Sequence, residues 1–231
     1  MLERNRCVVL VPANFGVEPD CDRALMELER RGYVVWRIPG FAAIDQCRNQ
    51  AASDALAQGF EELFWLDADI EFHPDALDQL RSHSLPIVSA IYPKKNCRAL
   101  ASRLFPTTKE VLFGVGGGVI EILYAATGFL LTRREVYERI QQHWTLPVCN
   151  KQFGKPCVPY FMPMVVDTDK GPWYLAEDFA FSHRARGADL KIYADTTIRL
   201  GHLGRYSYSW EEAGGSQPRY GTYRFHILDA E

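Results

Sequence analysis

A chain of 231 residues with 47% hydrophobic and 24% charged positions can bury a substantial core, so one domain with at most a short appendage is expected. Twenty-six Lys and Arg against 29 Asp and Glu leave a formal charge of −3, which excludes bulk attraction to nucleic acid or to an anionic membrane. No apolar run approaches the roughly 20 residues a spanning helix needs, and the one at 7–11 is too short for a signal-peptide core, so no membrane span and a cytoplasmic location are expected.

Residues 7–11 (CVVLV) form an apolar, β-branched run closed by Pro12 and Asn14, the pattern of a strand buried on both faces. Residues 20–31 follow with Leu25, Met26 and Leu28 at helical spacing and Gly32 where a C-cap belongs; 33–38 is again a strand, stopped by Pro39-Gly40. This β-α-β opening implies parallel strands and a right-handed crossover. The rhythm continues with a helix at 44–57, a break at Gly59, a buried strand at 62–66, a helix at 75–82 opened by Pro74, and a strand at 86–92.

Beyond Tyr92 the alternation weakens. Gly114-Val115-Gly116-Gly117-Gly118-Val119 predicts a hairpin or a loop where backbone comes close to something; a phosphate cradle would need a helix directly after it, and 119–124 reads as a strand. Residues 127–132 lead into a helix at 134–143. The stretch 147–169, rich in Pro, Cys and aromatics, reads as a long loop. A helix at 177–187, a strand at 190–194 and a short strand at 197–200 complete the regular part. Residues 205–231, with Tyr206, Tyr208, Trp210, Tyr220, Tyr223 and Phe225, read as a segment packed on the domain or serving as a lid or interface.

Three features carry chemistry. Trp65-Leu66-Asp67-Ala68-Asp69-Ile70 sets two carboxylates at the carboxyl end of a buried strand, where open α/β sheets bind ligands. Two such neighbours repel unless a cation compensates, and Mg2+ or Mn2+ is the natural partner; the plain alternative is a solvated turn with Asp69 or Asp75 capping a helix. Glu177-Asp178 opens a helix, whose dipole holds a carboxylate ionised as a general base requires, although simple N-capping needs the same residues. His202, between Gly201 and Leu203 at a strand end, is placed to reach a metal, or merely to pack. Lys94 and Lys95 read as a solvated basic turn or as partners of a diphosphate or anionic acceptor. The six cysteines, Cys7, Cys21, Cys47, Cys97, Cys149 and Cys157, lack a C-x-x-C spacing and read as reduced thiols; His143, Cys149 and Cys157 match no zinc pattern.

In this order within this α/β pattern, Asp67-Ala68-Asp69, Ala176-Glu177-Asp178 and His202 resemble the glycosyltransferases of the GT-A fold, of a family-2-like kind, over about residues 7–204. The resemblance implies a Rossmann-like mixed sheet flanked by helices, with 1–204 as catalytic domain. It implies Asp69 as a direct ligand of Mn2+ or Mg2+, Asp67 on the metal or the donor ribose, and His202 completing the metal's shell. Arg48, Asn49, Pro12 and Ala13 match positions that face the nucleotide. A UDP- or GDP-sugar is the implied donor, and a saccharide or other hydroxyl compound the acceptor. In an inverting enzyme Asp178, from the Glu177-Asp178 pair, is the implied base.

Two other readings stand beside it. A sugar-phosphate nucleotidyltransferase shares the α/β start, but the glycine-rich basic signature expected after strand one is missing from Val11-Pro12-Ala13-Asn14-Phe15-Gly16. A non-catalytic protein of the same fold, binding a nucleotide or a partner through the aromatic C-terminal segment, is the alternative outside enzymes. A haloacid-dehalogenase-type phosphatase would carry its D-x-D on the first strand, not the third.

Overall fold

The computed structural model describes residues 2–95, 99–204, 206, 208–214 and 221–227. In chain order the elements are β1 (Cys7–Pro12), α1 (Pro19–Arg30), β2 (Val34–Ile38), α2 (Ile44–Ala57), β3 (Glu62–Leu66), β4 (Ile70–Phe72), α3 (Asp75–Ser82) and β5 (Ile87–Ala90). They continue with β6 (Glu110–Gly114), β7 (Val119–Ile122), β8 (Phe129–Arg133), α4 (Arg134–Trp144), β9 (Met164–Thr168) and β10 (Gly171–Leu175). The last are α5 (Glu177–Gly187), β11 (Ile192–Asp195), β12 (Leu200–His202), α6 (Trp210–Gly214) and β13 (Thr222–His226).

A seven-stranded sheet runs in the order β2-β1-β3-β8-β5-β11-β7. The strands β2, β1, β3, β5 and β11 point one way, and β8 and β7 run against them. This is the mixed sheet flanked by helices that the sequence implies. The interior strand β3 buries Leu63, Phe64, Trp65 and Leu66 completely. Its alternation splits the core: Leu63 and Trp65 meet alanines of α2, Tyr137 of α4 and Phe181 of α5, while Phe64 and Leu66 meet Leu25 of α1 and Leu77 of α3. Trp65 keeps its indole N–H satisfied inside that core by donating to the Tyr137 hydroxyl at 2.8 Å.

Local chemistry accounts for the helices. Pro19 sits at the start of α1 with Asp20 and Asp22 in the first turn, and Cys21, Ala24, Leu25 and Leu28 form its buried stripe. The left-handed Gly32 (φ +91°) lets the Tyr33 N–H reach back to the Leu28 carbonyl at 3.1 Å and close the helix.

The 114–119 turn brings backbone into close contact, as its glycines predict, but its flanks do not pair with each other: β6 pairs with β13 and β7 with β11. A Cβ on Gly117 would stand 2.6 Å from the Thr196 hydroxyl and 2.8 Å from the Leu112 carbonyl, and a strand, not a helix, follows. The stretch 147–169 departs from the expected loop: it holds a 3-10 turn (Lys151–Phe153) and the first strand of the hairpin β9-β10. Its strands alternate, with Met164, Val166, Trp173 and Leu175 packed beneath and Val165 and Tyr174 exposed above. The expected strand at 197–200 lies slightly later, at β12, antiparallel to β4 with His202 opposite Ile70. No helix among the described residues is long and apolar enough to cross a membrane.

Candidate functional site

Because β1, β3 and β5 are parallel, their carboxyl ends meet at one edge, and β8 begins there. Pro12, Asp67, Tyr92 and Gly128 are brought together by topology alone. The Asp67 N–H donates to the Gly128 carbonyl at 3.0 Å, extending the β3-β8 ladder one residue past the strand. The approach is so close that a Cβ on Gly128 would collide with the Tyr92 hydroxyl and stand 2.6 Å from the Asp67 carboxylate. Tyr92, buried beside Asp67, accepts the Gly128 N–H at 3.0 Å; burial first and Asp67 second push its phenol pKa well up, so it stays neutral.

Arg48 reaches this edge from α2. Its side chain is buried, one Nη donates to Asp67 Oδ1 at 2.8 Å, and the other lies 3.9 Å from Glu177 at the start of α5. Burial works against its charge, but Asp67 and Glu177 outweigh it and hold the guanidinium protonated. Among the described residues its Nε and second Nη have no hydrogen-bond acceptor, so a buried cation keeps unspent donors between two acidic motifs.

Asp69 lies one step along. The register that sets Ile70 opposite His202, together with the Leu203 N–H donating to the Asp69 carbonyl at 2.7 Å, fixes the imidazole beside the carboxylate. His202 Nε2 is 3.6 Å from Asp69 Oδ1, and its Nδ1 faces the Pro93 carbonyl at 2.8 Å. That carbonyl can only accept, so Nδ1 carries a proton and Nε2 is the nitrogen that faces Asp69. The other Asp69 oxygen is met by Lys95 Nζ at 2.5 Å. Burial works to raise the Asp69 pKa, but His202 and Lys95 outweigh it and hold the carboxyl below its ordinary value.

Pro12, Asp67, Asp69 and His202 line an open cleft of about 440 Å³, with Phe15 fully exposed on its wall. A smaller recess of about 290 Å³ shares Gly16 and Val17 with it and is lined by Ala13, Asp22 and Arg37. Asp178, half-buried in the first turn of α5, has its pKa pushed up to about 6, chiefly by burial and then by Glu177, against the Phe179 N–H that donates to it at 2.7 Å. Neither Glu177 nor Asp178 lines the cleft; they join it through Arg48.

For a metal the protein offers a partial set: one carboxylate and one imidazole nitrogen, donors that suit Mn2+ or Mg2+ when a ligand's oxygens complete the shell. Among the described residues no group of three or more His, Cys, Asp or Glu side chains is gathered tightly enough to hold an ion alone. The His143, Cys149 and Cys157 set is likewise not gathered as one.

No protein-family model matches the chain, and no curated protein matches it. Solved structures do resemble it. A crystal structure of A197 from STIV aligns at a TM-score of 0.58 and 15% identity, over 89% of this chain and 91% of that one. A crystal structure of GalNAc-T7 with UDP, GalNAc and Mn2+ aligns at a TM-score of 0.46 and 14% identity, over 88% of this chain and 44% of that one. At such identities the likeness to A197 speaks for the fold alone, a mixed α/β sheet flanked by helices.

Of the residues singled out in the sequence, Pro12, Asp67, Asp69 and His202 share the main cleft and Ala13 the smaller recess. Arg48 and Glu177 meet through charge. Asn49 goes elsewhere: buried, its amide oxygen accepts the Phe161 N–H at 2.6 Å, because one residue along a helix turns the side chain by about 100°. Lys95 is an ion-pair partner of Asp69, while Lys94 is exposed. Tyr92 and Gly128 escaped the sequence reading. A glycine directly before a buried antiparallel strand was the available signal for the second.

Proposed function

We propose that the chain is a glycosyltransferase that transfers a sugar from a nucleoside-diphosphate sugar to an acceptor hydroxyl with inversion. The observation that carries this reading is the joining, through buried Arg48, of the Asp67 edge to the Glu177-Asp178 helix start. One side offers a cation-binding carboxylate, and the other a carboxylate whose pKa of about 6 suits proton transfer near neutrality.

Asp69 and His202 would hold Mn2+ or Mg2+, which when bound supplies Lewis-acid neutralisation of the departing diphosphate. Asp67, oriented by Arg48, takes the ribose side. Pro12 and Ala13, at the end of β1, border the two recesses in which a base and ribose would lie. Asp178, ionised, accepts the proton of the acceptor hydroxyl as its oxygen attacks the anomeric carbon and the nucleoside diphosphate departs. Arg48 offsets part of the charge of Asp67 and Glu177, so an anionic ligand does not meet these two carboxylates uncompensated.

The test is transfer from UDP- and GDP-sugars in Mn2+ or Mg2+ to a panel of hydroxyl acceptors. Asp178→Asn should keep nucleotide binding and slow transfer by about 10²–10⁴. Transfer at the normal rate in that variant would remove Asp178 as base. A failure of the parent protein to bind any nucleotide would favour the non-catalytic reading.

A further inference from the structure

Away from the cleft, two cysteines face each other in the segment between α4 and β9. The Cys149 N–H donates to the Cys157 carbonyl at 2.7 Å, and the Cys157 N–H returns a bond to the Cys149 carbonyl at 3.1 Å, an isolated antiparallel bridge. Residues that exchange both bonds in this way stand about 5.5 Å apart at Cα with side chains on one face. That spacing lies inside the range of about 4.4–6.8 Å that a disulfide spans. Both residues are partly exposed free thiols, whereas Cys7, Cys21 and Cys47 are buried.

We propose that Cys149 and Cys157 are a redox pair whose disulfide locks this loop against α2. The loop is already draped on the helix that carries Arg48. The Val158 N–H donates to the Ser53 hydroxyl at 2.9 Å, the Phe161 N–H donates to the Asn49 side chain, and the Gln50 amide donates to the Pro156 carbonyl at 3.3 Å. Between the cysteines the chain turns through left-handed Asn150 (φ +61°) and Gly154 (φ +71°), with Phe153 exposed at the tip. The backbone is thus already bent into the ring that the cross-link closes, and oxidation needs no rearrangement of it.

The oxidant is a small-molecule disulfide. A thiolate of the pair attacks it, forming a mixed disulfide and releasing one thiol; the second cysteine attacks the protein-bound sulfur and releases the other. Two protein S–H bonds are exchanged for one S–S bond, and the small disulfide is reduced to two thiols. Burial and the neighbouring Cys149 push the Cys157 pKa up, so the exchange quickens with rising pH.

The experiment equilibrates the full chain in oxidised glutathione, blocks remaining thiols with iodoacetamide, and maps tryptic peptides with and without reduction. Cleavage after Lys151, with Lys155 protected by Pro156, separates peptide 140–151 from peptide 152–170. The proposal expects these two joined, lighter by two hydrogens than their sum, and freed by dithiothreitol. Both peptides recovered fully alkylated, carrying glutathione only, or joined to Cys97 would overturn it. The oxidised protein should also melt about 5 °C above the reduced one, a difference abolished in Cys149→Ser and Cys157→Ser. Equal melting temperatures would overturn the lock on α2 even with the bond formed.

Discussion

Asp69 carries two partners of different kinds, an ammonium at 2.5 Å and an imidazole whose nitrogen lies 3.6 Å away. Lys95 therefore competes with any divalent ion for the same carboxylate. Losing an ion pair of about 1 kcal/mol corresponds to about a fivefold change in affinity, so Lys95→Met should tighten Mn2+ binding by about that factor, read by Mn2+ titration under paramagnetic resonance. Weaker binding would mean that Lys95 assists the site instead. Asp178 poses a different trade. Its pKa is about 6 in the folded chain against 3.8 in the unfolded, so between those values the native state holds more protons. Stability contributed by Asp178 therefore falls as pH rises through that window, and the cost is complete above about pH 6. Asp178→Asn should be more stable than the parent by about 3 kcal/mol at neutral pH, with the difference closing toward pH 4, in denaturant titrations at each pH. Activity moves the other way, and kcat/KM should lose about tenfold per unit below pH 6. The carboxylates and His202 were legible at this scale because strand ends and helix starts are written in short patterns. Tyr92 and the gap at Gly128 were not, since both depend on how closely β8 approaches β3.

The elements that place the site were legible where period and punctuation agree. The helix at 44–57 and the one at 75–82 are found at those bounds, and the buried run 62–66 is an interior strand of the sheet. The hairpin β9-β10 was hidden because Met164-Val165-Val166 breaks visible alternation and Pro172 lies within a strand, which its place on a two-stranded edge tolerates. The pairing of β12 with β4 is long-range, and three-residue strands leave no periodic signal. Packing behind β3 makes a sharper prediction. The Tyr137 hydroxyl serves both the Trp65 indole N–H and Thr132, each at 2.8 Å, so Tyr137→Phe strands a buried donor. The variant should lose about 1–3 kcal/mol, seen as a lower urea midpoint at unchanged slope. An unchanged midpoint would mean that the indole finds another acceptor.

For the whole molecule, the described part of the C-terminal stretch continues the fold: β13 pairs with β6, Trp210 stacks on Phe113, and Tyr208 exchanges backbone bonds with His202. Tyr220 lies outside the described residues, and the role of this stretch as lid or interface stays a proposal. Fold class was readable because alternating strands and helices admit few arrangements. Donor and acceptor were not, because loop shape sets them. The most direct measurement titrates UDP and GDP calorimetrically into the parent protein and into Asp69→Asn, each with Mn2+ and with EDTA. One nucleotide should bind the parent only with metal present, and Asp69→Asn should lose this binding while melting within a few degrees of the parent. Binding indifferent to EDTA and to Asp69→Asn would contradict this.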